Sequence, residues 1–509
     1  MTTTLGEVLP AAARRFRNKT ALIVDGRTVT FHELDELSNR VANGLVDAGV
    51  RAGDRVTLYG PNSWEWVVAY YAIAKTGAVV NPISPMLTAE EVRYILGDSG
   101  ARVVVASADK AAALLGIKDD TDLTSVAIWG EPVPKGTVSF GDWQARGSSS
   151  FSVIAREPGD DGAICYTSGT TGRPKGATQS HRSVIGAAVG AVVMAARGPQ
   201  DRIISALPLP HVYGVGVLNA SIMAGSTLIM IPRFDEVTVL RAISEFKATL
   251  MDGVPTAYYY LLAHPQFESY DLSSLTRCWV GGQTLPAAKS QEFTARTGVP
   301  VHEVWGMTEL AGVASANPVV GPNKPGTIGI PYPGNAMRVV DSEDASRELA
   351  VGEAGELMFR GPLVMNGYYR NDAATDKTIE QDGWLHTGDI ATMDEDGFFT
   401  IVDRKTDMIL TAGYNVYPAE LERVLCMHPA VALAAVGGVD DEFRGELAKA
   451  YVILRDGRDV TREALISHCR EHLAAYKVPR AVQFVGAVPM TSSGKIMRRL
   501  LRDLDDGSR

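Results

Sequence analysis

Hydrophobic and polar positions follow two different periods along the first hundred residues. Apolar runs at residues 21–24 and 29–31 flank Asp25-Gly26-Arg27, and an Asp-Gly pair between two such runs predicts a β-hairpin. From Thr30 the period changes, because apolar residues then recur at helical spacing, at Leu34, Leu37, Val41 and Leu45. Thr30 and Glu33 have the spacing of a capping box, so we predict that an amphipathic helix begins at Thr30.

The alternation of strand and helix continues along the chain. Residues 101–106 (ARVVVA) form a continuous apolar run, which is typical of a strand buried on both faces of a sheet. Helices are predicted at residues 63–76 and from Thr88, where Glu91 completes another capping-box spacing. Further strands are predicted at residues 55–59, 78–82, 203–207, 227–231 and 250–254. This alternation predicts an α/β body with a largely parallel sheet.

The pattern changes twice in the second half. From Gly326, Gly, Pro and short apolar runs such as residues 355–361 and 397–404 predict a small β-rich subdomain. After Arg404 the pattern becomes that of a short α+β unit. Its helices are predicted at residues 418–427 and 462–475, and its strands at residues 431–437 and 449–454. We therefore place a domain boundary at about residues 403–406.

Composition narrows the class of protein. With 509 residues, 46% hydrophobic content and a formal charge of −10, the chain is neither disordered nor coiled-coil, and no long basic run predicts a nucleic-acid surface. The longest apolar stretch, residues 184–196, is too short for a membrane span, and the N-terminus lacks a signal-peptide core. The cysteines are far apart and form no CxxC pair: Cys165, Cys278, Cys426 and Cys469. We predict a cytoplasmic enzyme.

The segment with the clearest chemistry is residues 166–176, YTSGTTGRPKG. Small hydroxyl residues between glycines offer several hydrogen-bond donors to an oxyanion, and Lys175 adds a positive charge, so the segment is suited to phosphate. It is not a Walker A loop, because Pro174 precedes the lysine and Gly176 follows it where that motif needs Gly and Ser or Thr.

This loop resembles the signature loop of the adenylate-forming superfamily, which contains acyl-CoA synthetases, luciferases and the adenylation domains of peptide synthetases. Four further segments resemble that family's motifs and occur in its order: residues 305–309 (WGMTE), residues 387–389 (TGD), residues 403–404 (DR) with residues 413–418 (GYNVYP), and residues 492–495 (SSGK). The resemblance therefore covers essentially the whole chain.

The resemblance implies a fold and a domain plan. The fold is α/β, with a large N-terminal body of stacked, mainly parallel sheets with helices, a small β-barrel-like subdomain, and a small mobile C-terminal α+β domain. We expect residues 1–403 to form the adenylation domain, residues 404–406 a hinge and residues 407–509 a lid. Residues 403–509 carry 16 Lys and Arg against 15 Asp and Glu, so the acidic excess lies in the body.

The resemblance also implies roles for individual residues in ATP and AMP binding. Asp389 and Arg404 would bind the ribose hydroxyls. The phosphates would be held by Thr167, Ser168, Gly169, Thr170, Thr171 and Lys175. The adenine and its surroundings would be contacted by Gly281, Gly282, Gln283, Trp305, Gly306 and Met307.

Three residues are expected to act on the reacting phosphate. Glu309 would bind Mg²⁺, a hard cation that prefers carboxylate and phosphate oxygens. Thr308 would lie near the α-phosphate. Lys495 would reach between the attacking carboxylate and the α-phosphate, two anions whose repulsion a cation lowers in the transition state.

Residues 207–214 (LPLPHVYG) resemble the segment that lines the family's carboxylate pocket, where His211 would also gate the incoming thiol. A half-buried His satisfied by the backbone is the alternative. The acyl pocket would be lined by His211, Tyr213, Gly214, Gly282, Gln283 and Met307. For coenzyme A the candidates are Gly413 and Lys477. Thr406 takes the hinge position, where the family usually has Lys or Asp.

The resemblance implies an ATP-dependent carboxylate:CoA ligase. A small carboxylic acid and ATP would give acyl-AMP and pyrophosphate, and CoA would then give acyl-CoA and AMP. Two alternatives stay open: transfer of the acyl group to a carrier-protein thiol, an amine or an inorganic nucleophile, and a catalytically weak nucleotide- or acyl-binding homologue. A homodimer also stays open. His468 and His472 have metal-ligand spacing, but no third ligand is evident, so we predict no metal there.

Overall fold

The computed structural model describes residues 3–167, 173–405, 407–411, 414–441, 445–490 and 496–506. The chain divides into two compact units. The first contains Met1–Ala336 and Phe359–Leu385, and the second contains Met337–Met358 and His386–Arg509.

The helices of the described residues are numbered in chain order. They are α1 (Leu5–Phe16), α2 (Phe31–Asp47), α3 (Trp64–Lys75), α4 (Ala89–Ser99), α5 (Ala111–Ile117), α6 (Phe140–Arg146), α7 (His181–Met194), α8 (Val212–Ala224), α9 (Glu236–Phe246), α10 (Pro255–Ala263), α11 (Ala287–Thr297), α12 (Asp372–Thr378), α13 (Pro418–Met427), α14 (Arg462–His472) and α15 (Asp503–Asp506).

The strands of the same residues are numbered likewise. They are β1 (Thr20–Val24), β2 (Arg27–Thr30), β3 (Arg55–Tyr59), β4 (Val79–Ile83), β5 (Val103–Ser107), β6 (Ser125–Trp129), β7 (Val138–Ser139), β8 (Asp161–Thr167), β9 (Lys175–Ser180), β10 (Arg202–Ser205), β11 (Thr227–Met230), β12 (Leu250–Gly253), β13 (Arg277–Val280), β14 (Val301–Met307), β15 (Gly312–Ala316), β16 (Ile330–Pro331), β17 (Ala336–Val340), β18 (Gly355–Arg360), β19 (Gly367–Tyr368), β20 (Leu385–Met393), β21 (Phe399–Arg404), β22 (Ile409–Thr411), β23 (Tyr414–Val416), β24 (Val431–Asp441), β25 (Gly445–Leu454) and β26 (Ala481–Phe484).

Two mainly parallel sheets form the first unit. Within the described residues, one sheet has the order β19-β9-β8-β4-β3-β5-β6-β7, and the other has the order β16-β15-β14-β13-β12-β10-β11-β1-β2. In the first sheet the pairings of β8 with β9 and of β9 with β19 are antiparallel. In the second sheet the pairings of β1 with β2, of β14 with β15 and of β15 with β16 are antiparallel. The predicted α/β body with largely parallel strands is confirmed.

The hairpin turn, the helix start and the buried strand predicted for the N-terminal region are present in the structure. Asp25 and Gly26 both have positive φ, as a two-residue hairpin turn between β1 and β2 requires. Helix α2 begins after Thr30, whose hydroxyl accepts the Glu33 N–H at 3.1 Å. Strand β5, from the apolar run at residues 101–106, is fully buried between β3 and β6.

Separate apolar clusters hold the two sheets of the first unit to their helices. One cluster joins β5 and β6 to α4 and α5 through Val104, Ile128 and Leu114. Another joins the central strands of the second sheet to α9, α10 and α11, with Tyr258 and Phe293 at its centre. Burial of these apolar side chains is the main driving force for folding, at roughly 25 cal/mol per Å² of apolar surface removed from water.

The second unit contains two smaller sheets. Among the described residues, four strands have the order β17-β18-β20-β21, and the C-terminal sheet has the order β23-β22-β25-β24 with β26 beside β25. The β24–β25 hairpin is longer than the predicted strands, because Gly438 pairs with Ala448 and Asp440 with Glu446. Backbone hydrogen bonds form whatever the side chains are, so the strands continue through glycine and acidic residues that have no apolar strand pattern.

None of the helices in the described parts of the chain is both long and apolar enough to cross a membrane.

Candidate active site

The predicted phosphate loop connects two antiparallel neighbours, β8 and β9. Thr167, the last residue of β8, pairs with Lys175, the first residue of β9, so the ladder brings the two ends of the loop together. The Thr167 hydroxyl donates to the Lys175 carbonyl oxygen at 3.4 Å. The remaining predicted phosphate ligands, Ser168, Gly169, Thr170 and Thr171, lie outside the described residues.

Both ends of this loop are tied to helix α4. The Tyr166 hydroxyl donates to Oδ2 of Asp98 at 2.6 Å, and the Tyr94 hydroxyl donates to the Pro174 carbonyl at 3.2 Å. The Arg173 guanidinium lies 5.4 Å from the centre of the Tyr94 ring. Burial raises the pKa of Tyr166, and the Asp98 carboxylate raises it further, so Tyr166 stays a donor at neutral pH.

Lys175, Tyr368 and Glu309 form a connected group next to this loop. Strand β19 pairs with β9 and carries Tyr368, whose ring centre is 4.9 Å from Lys175 Nζ. The Tyr368 hydroxyl donates to Oε1 of Glu309 at 2.8 Å. The structure therefore brings the predicted phosphate-binding lysine and the predicted metal-binding carboxylate to the same aromatic side chain.

The turn that carries Glu309 is held by its backbone. Strand β14 runs into a short turn at Thr308–Leu310 before β15 begins. The Gln179 side-chain amide donates to the Thr308 carbonyl at 2.8 Å, and the Met365 N–H donates to the Glu309 carbonyl at 2.8 Å. Because both carbonyls are bonded from neighbouring segments, the position of the buried Glu309 side chain is set by β9 and by the segment before β19.

Residues 305–307 of the predicted nucleotide site lie on β14. A side chain at Gly306 would place its Cβ 1.8 Å from the Gly312 carbonyl oxygen, so the close approach of β15 requires glycine there. Trp305 is buried, with its ring centre 6.4 Å from that of Phe359. Met307 is half-buried at the end of the strand.

The predicted adenine-binding residues Gly281, Gly282 and Gln283 follow β13, the neighbour of β14. The Gly281 N–H donates to the Gly253 carbonyl at 3.2 Å, and a Cβ at Gly281 would lie 2.5 Å from Cγ2 of Val304. Gly282 and Gln283 are exposed. The carboxyl ends of adjacent parallel strands thus bring residues 281–283 beside residues 305–307, and this edge of an open α/β sheet is where ligands commonly bind.

His211 begins helix α8 as its N-cap. Its Nδ1 accepts the Tyr213 N–H at 3.2 Å, so the ring has the backbone partner that the sequence alternative expected, although it is exposed and not half-buried. Tyr213 is buried, and its Cε1 would lie 3.2 Å from a Cβ at Gly281. A Cβ at Gly214 would lie 2.2 Å from the Pro208 carbonyl oxygen, so no side chain fits there. The predicted acyl residue Tyr213 therefore meets Gly281 of the predicted nucleotide site.

In the second unit, Asp389 and Arg404 are direct partners on β20 and β21. Arg404 Nε lies 2.6 Å from Oδ1 of Asp389, which is buried while the arginine is about half exposed. The Thr387 hydroxyl accepts the Asp389 N–H at 3.1 Å and donates to the Leu357 carbonyl at 2.7 Å. The ladder thus pairs the two predicted ribose ligands.

The predicted residues for CoA and for the catalytic lysine are described only in part. Lys477 Nζ donates to both carboxylate oxygens of Glu420, at 2.9 and 2.7 Å, so this lysine is engaged within its own unit. Thr406, Gly413 and Lys495 lie outside the described residues.

Neither Tyr368 nor Gln179 is among the site residues predicted from the sequence. Tyr368 lies on a two-residue strand and Gln179 in the middle of β9, and neither belongs to a local pattern that marks a site. Only the pairing of β9 with β19 and the proximity of the Thr308 turn reveal their contacts.

The expectation that no third ligand lies near His468 and His472 is wrong. Ligand atoms of His468, Glu471 and His472 lie within 4.8 Å of one another on α14. His468 precedes Glu471 by three residues and His472 by four, so His468 shares one face of the helix with each of them.

Comparison with protein families gives two matches in chain order. Residues 9–369 match the AMP-binding enzyme family, and residues 420–495 match the C-terminal domain of AMP-binding enzymes. Together they cover both the phosphate loop and the C-terminal α+β region.

Full-length relatives are similar to this chain throughout. A long-chain-fatty-acid–CoA ligase of Bacillus subtilis (strain 168) is 36% identical over 528 residues, which cover 98% of this chain and 94% of that one. A ligase of Mycobacterium tuberculosis (strain ATCC 25618 / H37Rv) named "3-[(3aS,4S,7aS)-7a-methyl-1,5-dioxo-octahydro-1H-inden-4-yl]propanoyl:CoA ligase" is 36% identical over 98% of this chain and 99% of that one.

A solved structure agrees with the fold. The crystal structure of ATP-bound MatB from Rhodopseudomonas palustris superposes with a TM-score of 0.92 at 32% identity, covering 99% of each chain. The expected division into large α/β sheets, a small sheet and a C-terminal α+β region is confirmed. This chain belongs to the AMP-binding enzyme family, the adenylate-forming superfamily, in its acyl-CoA ligase branch.

Proposed function

We propose that this acid–CoA ligase uses the group Lys175, Tyr368 and Glu309 to hold the phosphates of ATP while a carboxylic acid attacks the α-phosphorus. The reaction has two steps: acid and ATP give acyl-AMP and pyrophosphate, and the CoA thiol then gives acyl-CoA and AMP. The arrangement of these three side chains at the end of the β8–β9 loop is the observation that supports the proposal.

The electrostatics of this group favour a polyphosphate. A phosphate chain brings several negative charges, and Lys175 offers a cation whose position is restrained by the Tyr368 ring. Thr167 and the loop residues Ser168, Gly169, Thr170 and Thr171 add hydroxyl and backbone donors from the sequence. Asp389 accepts hydrogen bonds from the ribose hydroxyls, with Arg404 fixing its orientation.

Glu309 is the proposed residue for Mg²⁺. A carboxylate is the ligand this hard cation prefers, and the Tyr368 hydroxyl occupies Oε1, so Oε2 is the oxygen offered to the metal. When bound, Mg²⁺ neutralises charge on the phosphates. The fit rests on a buried carboxylate close to the phosphate loop.

Lys495 is the proposed catalytic residue of the first step, and Gly413 the proposed point where the pantetheine arm of CoA passes in the second. His211 and Tyr213 begin the helix that borders the acyl group, with Met307 at the end of β14 beside it. The proposed acid is a fatty, branched or aromatic carboxylate. The two relatives named above act on very unlike acids at equal identity, so similarity alone does not choose among these.

A direct assay tests the function. The purified chain is incubated with a panel of carboxylic acids, ATP, Mg²⁺ and CoA, and pyrophosphate, AMP and acyl-CoA are measured together. We expect all three products in equal amounts with a preferred acid. Pyrophosphate and AMP without acyl-CoA would favour a different acyl acceptor, and ADP in place of AMP would contradict adenylation.

A further inference from the structure

A group of buried polar side chains lies next to the proposed acyl pocket, and none of them except Tyr213 has a role in the two steps above. It consists of Arg197, Asp252, Tyr213, Trp279 and Tyr332, and we call it the buried polar cluster. Each of these residues is less than one-tenth exposed. Its centre is an ion pair, in which Arg197 Nη2 lies 2.9 Å from Oδ1 of Asp252, with both side chains almost completely buried.

The other members surround this ion pair. The Arg197 guanidinium carbon is 5.3 Å from the centre of the Trp279 ring. Burial raises the pKa of Tyr213, and the Asp252 carboxylate raises it further while Arg197 opposes this. The same two charges act on Tyr332. The Tyr213 hydroxyl donates to the Asp252 carboxylate and therefore faces the ion pair.

Several polar atoms of the cluster lack a hydrogen-bond partner among the described residues. Besides the Arg197–Asp252 contact and the hydrogen bond that the Tyr213 hydroxyl donates to Asp252, the atoms without a partner are Nε and Nη1 of Arg197, the hydroxyl of Tyr332 and Nε1 of Trp279. Leaving buried polar groups unpaired is unfavourable, so a set of this size requires water or a ligand. Water bridges such groups at a site that a ligand's polar atom can later take over.

The position of the cluster identifies the ligand. Asp252 and Trp279 are register partners on β12 and β13, close to the carboxyl ends of these parallel strands. Tyr213 belongs to both the cluster and the proposed acyl pocket. Its Cε1 would lie 3.2 Å from a Cβ at Gly281, so its ring packs beside that glycine. Because Tyr213 belongs to both the cluster and the pocket, an acyl group bound against Tyr213 is directed with its far end towards the unpaired atoms.

The charges and donors of the cluster indicate the chemistry of that far end. Arg197 and Asp252 neutralise each other, so a second carboxylate would have no uncompensated cation to pair with. The unpaired atoms can all donate a hydrogen bond: two guanidinium N–H groups, one indole N–H group and the Tyr332 hydroxyl. Such a set is complementary to an uncharged oxygen with free lone pairs.

We propose that the buried polar cluster binds a carbonyl or hydroxyl oxygen at the far end of the acid, and that this enzyme prefers oxygen-bearing acids over the matching saturated ones. The inference rests on the proposed function, because it takes the acid as the ligand.

The test compares matched pairs of acids. Octanoate, decanoate and dodecanoate are each assayed beside the same acid with a ketone at the penultimate carbon, and kcat/KM is measured from pyrophosphate release. We expect wild type to favour the keto acid by about tenfold at the chain length that reaches the cluster, the effect of about one hydrogen bond. This wild-type ratio requires no variant to fold.

Tyr332→Phe tests the assignment to the cluster, because it removes one hydroxyl and keeps the ring that packs on Gly190. We expect kcat/KM to fall about tenfold for the keto acid and to change by less than about twofold for the saturated acid. Tyr71→Phe is the matched control, since Tyr71 is a buried tyrosine whose hydroxyl already donates to Asn219 at 2.9 Å. It should leave the ratio between the two acids unchanged.

The possible outcomes separate the two proposals. Equal kcat/KM for both members of every pair, or an equal effect of Tyr332→Phe on both, would overturn the inference and leave the cluster as a hydrated structural ion pair. Absence of AMP and pyrophosphate with all acids would instead contradict the ligase function itself, and the inference with it.

Discussion

The Tyr368 hydroxyl donates a 2.8 Å hydrogen bond to Oε1 of Glu309, a residue 59 positions earlier in the chain. The same ring lies against Lys175 Nζ. One side chain from a two-residue strand thus fixes the relative position of a cation and a carboxylate that the sequence places in separate motifs.

Tyr368→Phe tests this link. Loss of the hydroxyl leaves Glu309 buried with one hydrogen bond fewer, and we expect the rate of acyl-AMP formation to fall about tenfold. The measurement is acid-dependent pyrophosphate exchange at several Mg²⁺ concentrations. Tyr369→Phe is the control, because the adjacent tyrosine contacts Arg55 and Arg370 through its ring and should be unaffected. Equal activity of both variants would contradict a positioning role for Tyr368.

Lys495→Ala separates the two steps of the reaction. If Lys495 stabilises charge where the carboxylate attacks the α-phosphorus, its loss should lower acyl-AMP formation by about 10²–10³. Conversion of supplied acyl-AMP and CoA to acyl-CoA should continue at close to the wild-type rate. Single-turnover measurements of each step decide the matter, and an equal loss in both steps would rule out this role.

Gly306→Ala tests the close approach of β15 to β14. The new Cβ would overlap the Gly312 carbonyl, so we expect a lower melting temperature and weaker ATP binding, measured by thermal unfolding with and without ATP. Gly97→Ala is the control. Gly97 lies within α4 with open space around it, and alanine there should preserve or raise stability by up to about 1 kcal/mol.

Glu303 makes stability depend on pH. Burial raises the pKa of Glu303 to about 7, against the opposing effect of the Gly326 N–H, which donates to Oε1 at 2.6 Å. The folded state therefore holds a proton that the unfolded state releases above about pH 4.5, so this contribution to stability is complete below pH 4.5 and is lost as pH rises to about 7.

Glu303→Gln should remove that dependence. Because the shift from 4.5 to about 7 corresponds to about 3 kcal/mol, we expect the variant to gain stability relative to wild type as the pH rises from 5 to 8. Urea unfolding at several pH values provides the measurement. A constant difference between variant and wild type across this range would show that Glu303 titrates normally.

Arg498 stabilises the C-terminal region through two partly buried carboxylates. Its Nη2 lies 2.8 Å from Glu422 and its Nη1 lies 2.8 Å from Asp407. Removing the arginine leaves these two carboxylates without their cation, so Arg498→Met should destabilise this region by about 1–3 kcal/mol. Hydrogen–deuterium exchange across α13 and β24 would report the loss.

Arg502→Ala is the matched control for that experiment. Arg502 is about half exposed and pairs with the exposed Asp440, and surface ion pairs contribute at most about 1 kcal/mol. Similar exchange rates in the two variants would mean that the Arg498 contacts contribute no more than surface ones.

The sequence was sufficient wherever the signal is local. The Asp25-Gly26 turn, the Thr30 cap and the fully apolar strand β5 depend on backbone dihedrals, capping and burial that neighbouring residues determine. It was insufficient where a contact joins distant segments. Tyr368 and Gln179 make their contacts without any short-range pattern, and the polar end of the β24–β25 hairpin has no apolar alternation.

The sequence by itself determined the order of strands and helices, the α/β class and, through its ordered motifs, the family. The tertiary structure decided which side chains meet. Strand pairing places Tyr368 between Lys175 and Glu309, and parallel pairing of β12 and β13 sets Asp252 beside Trp279 under the buried arginine. Sequence motifs reflect what the backbone requires locally. Hydrogen bonds and ion pairs between distant residues depend on the order and register of the strands, which no single segment of the sequence determines.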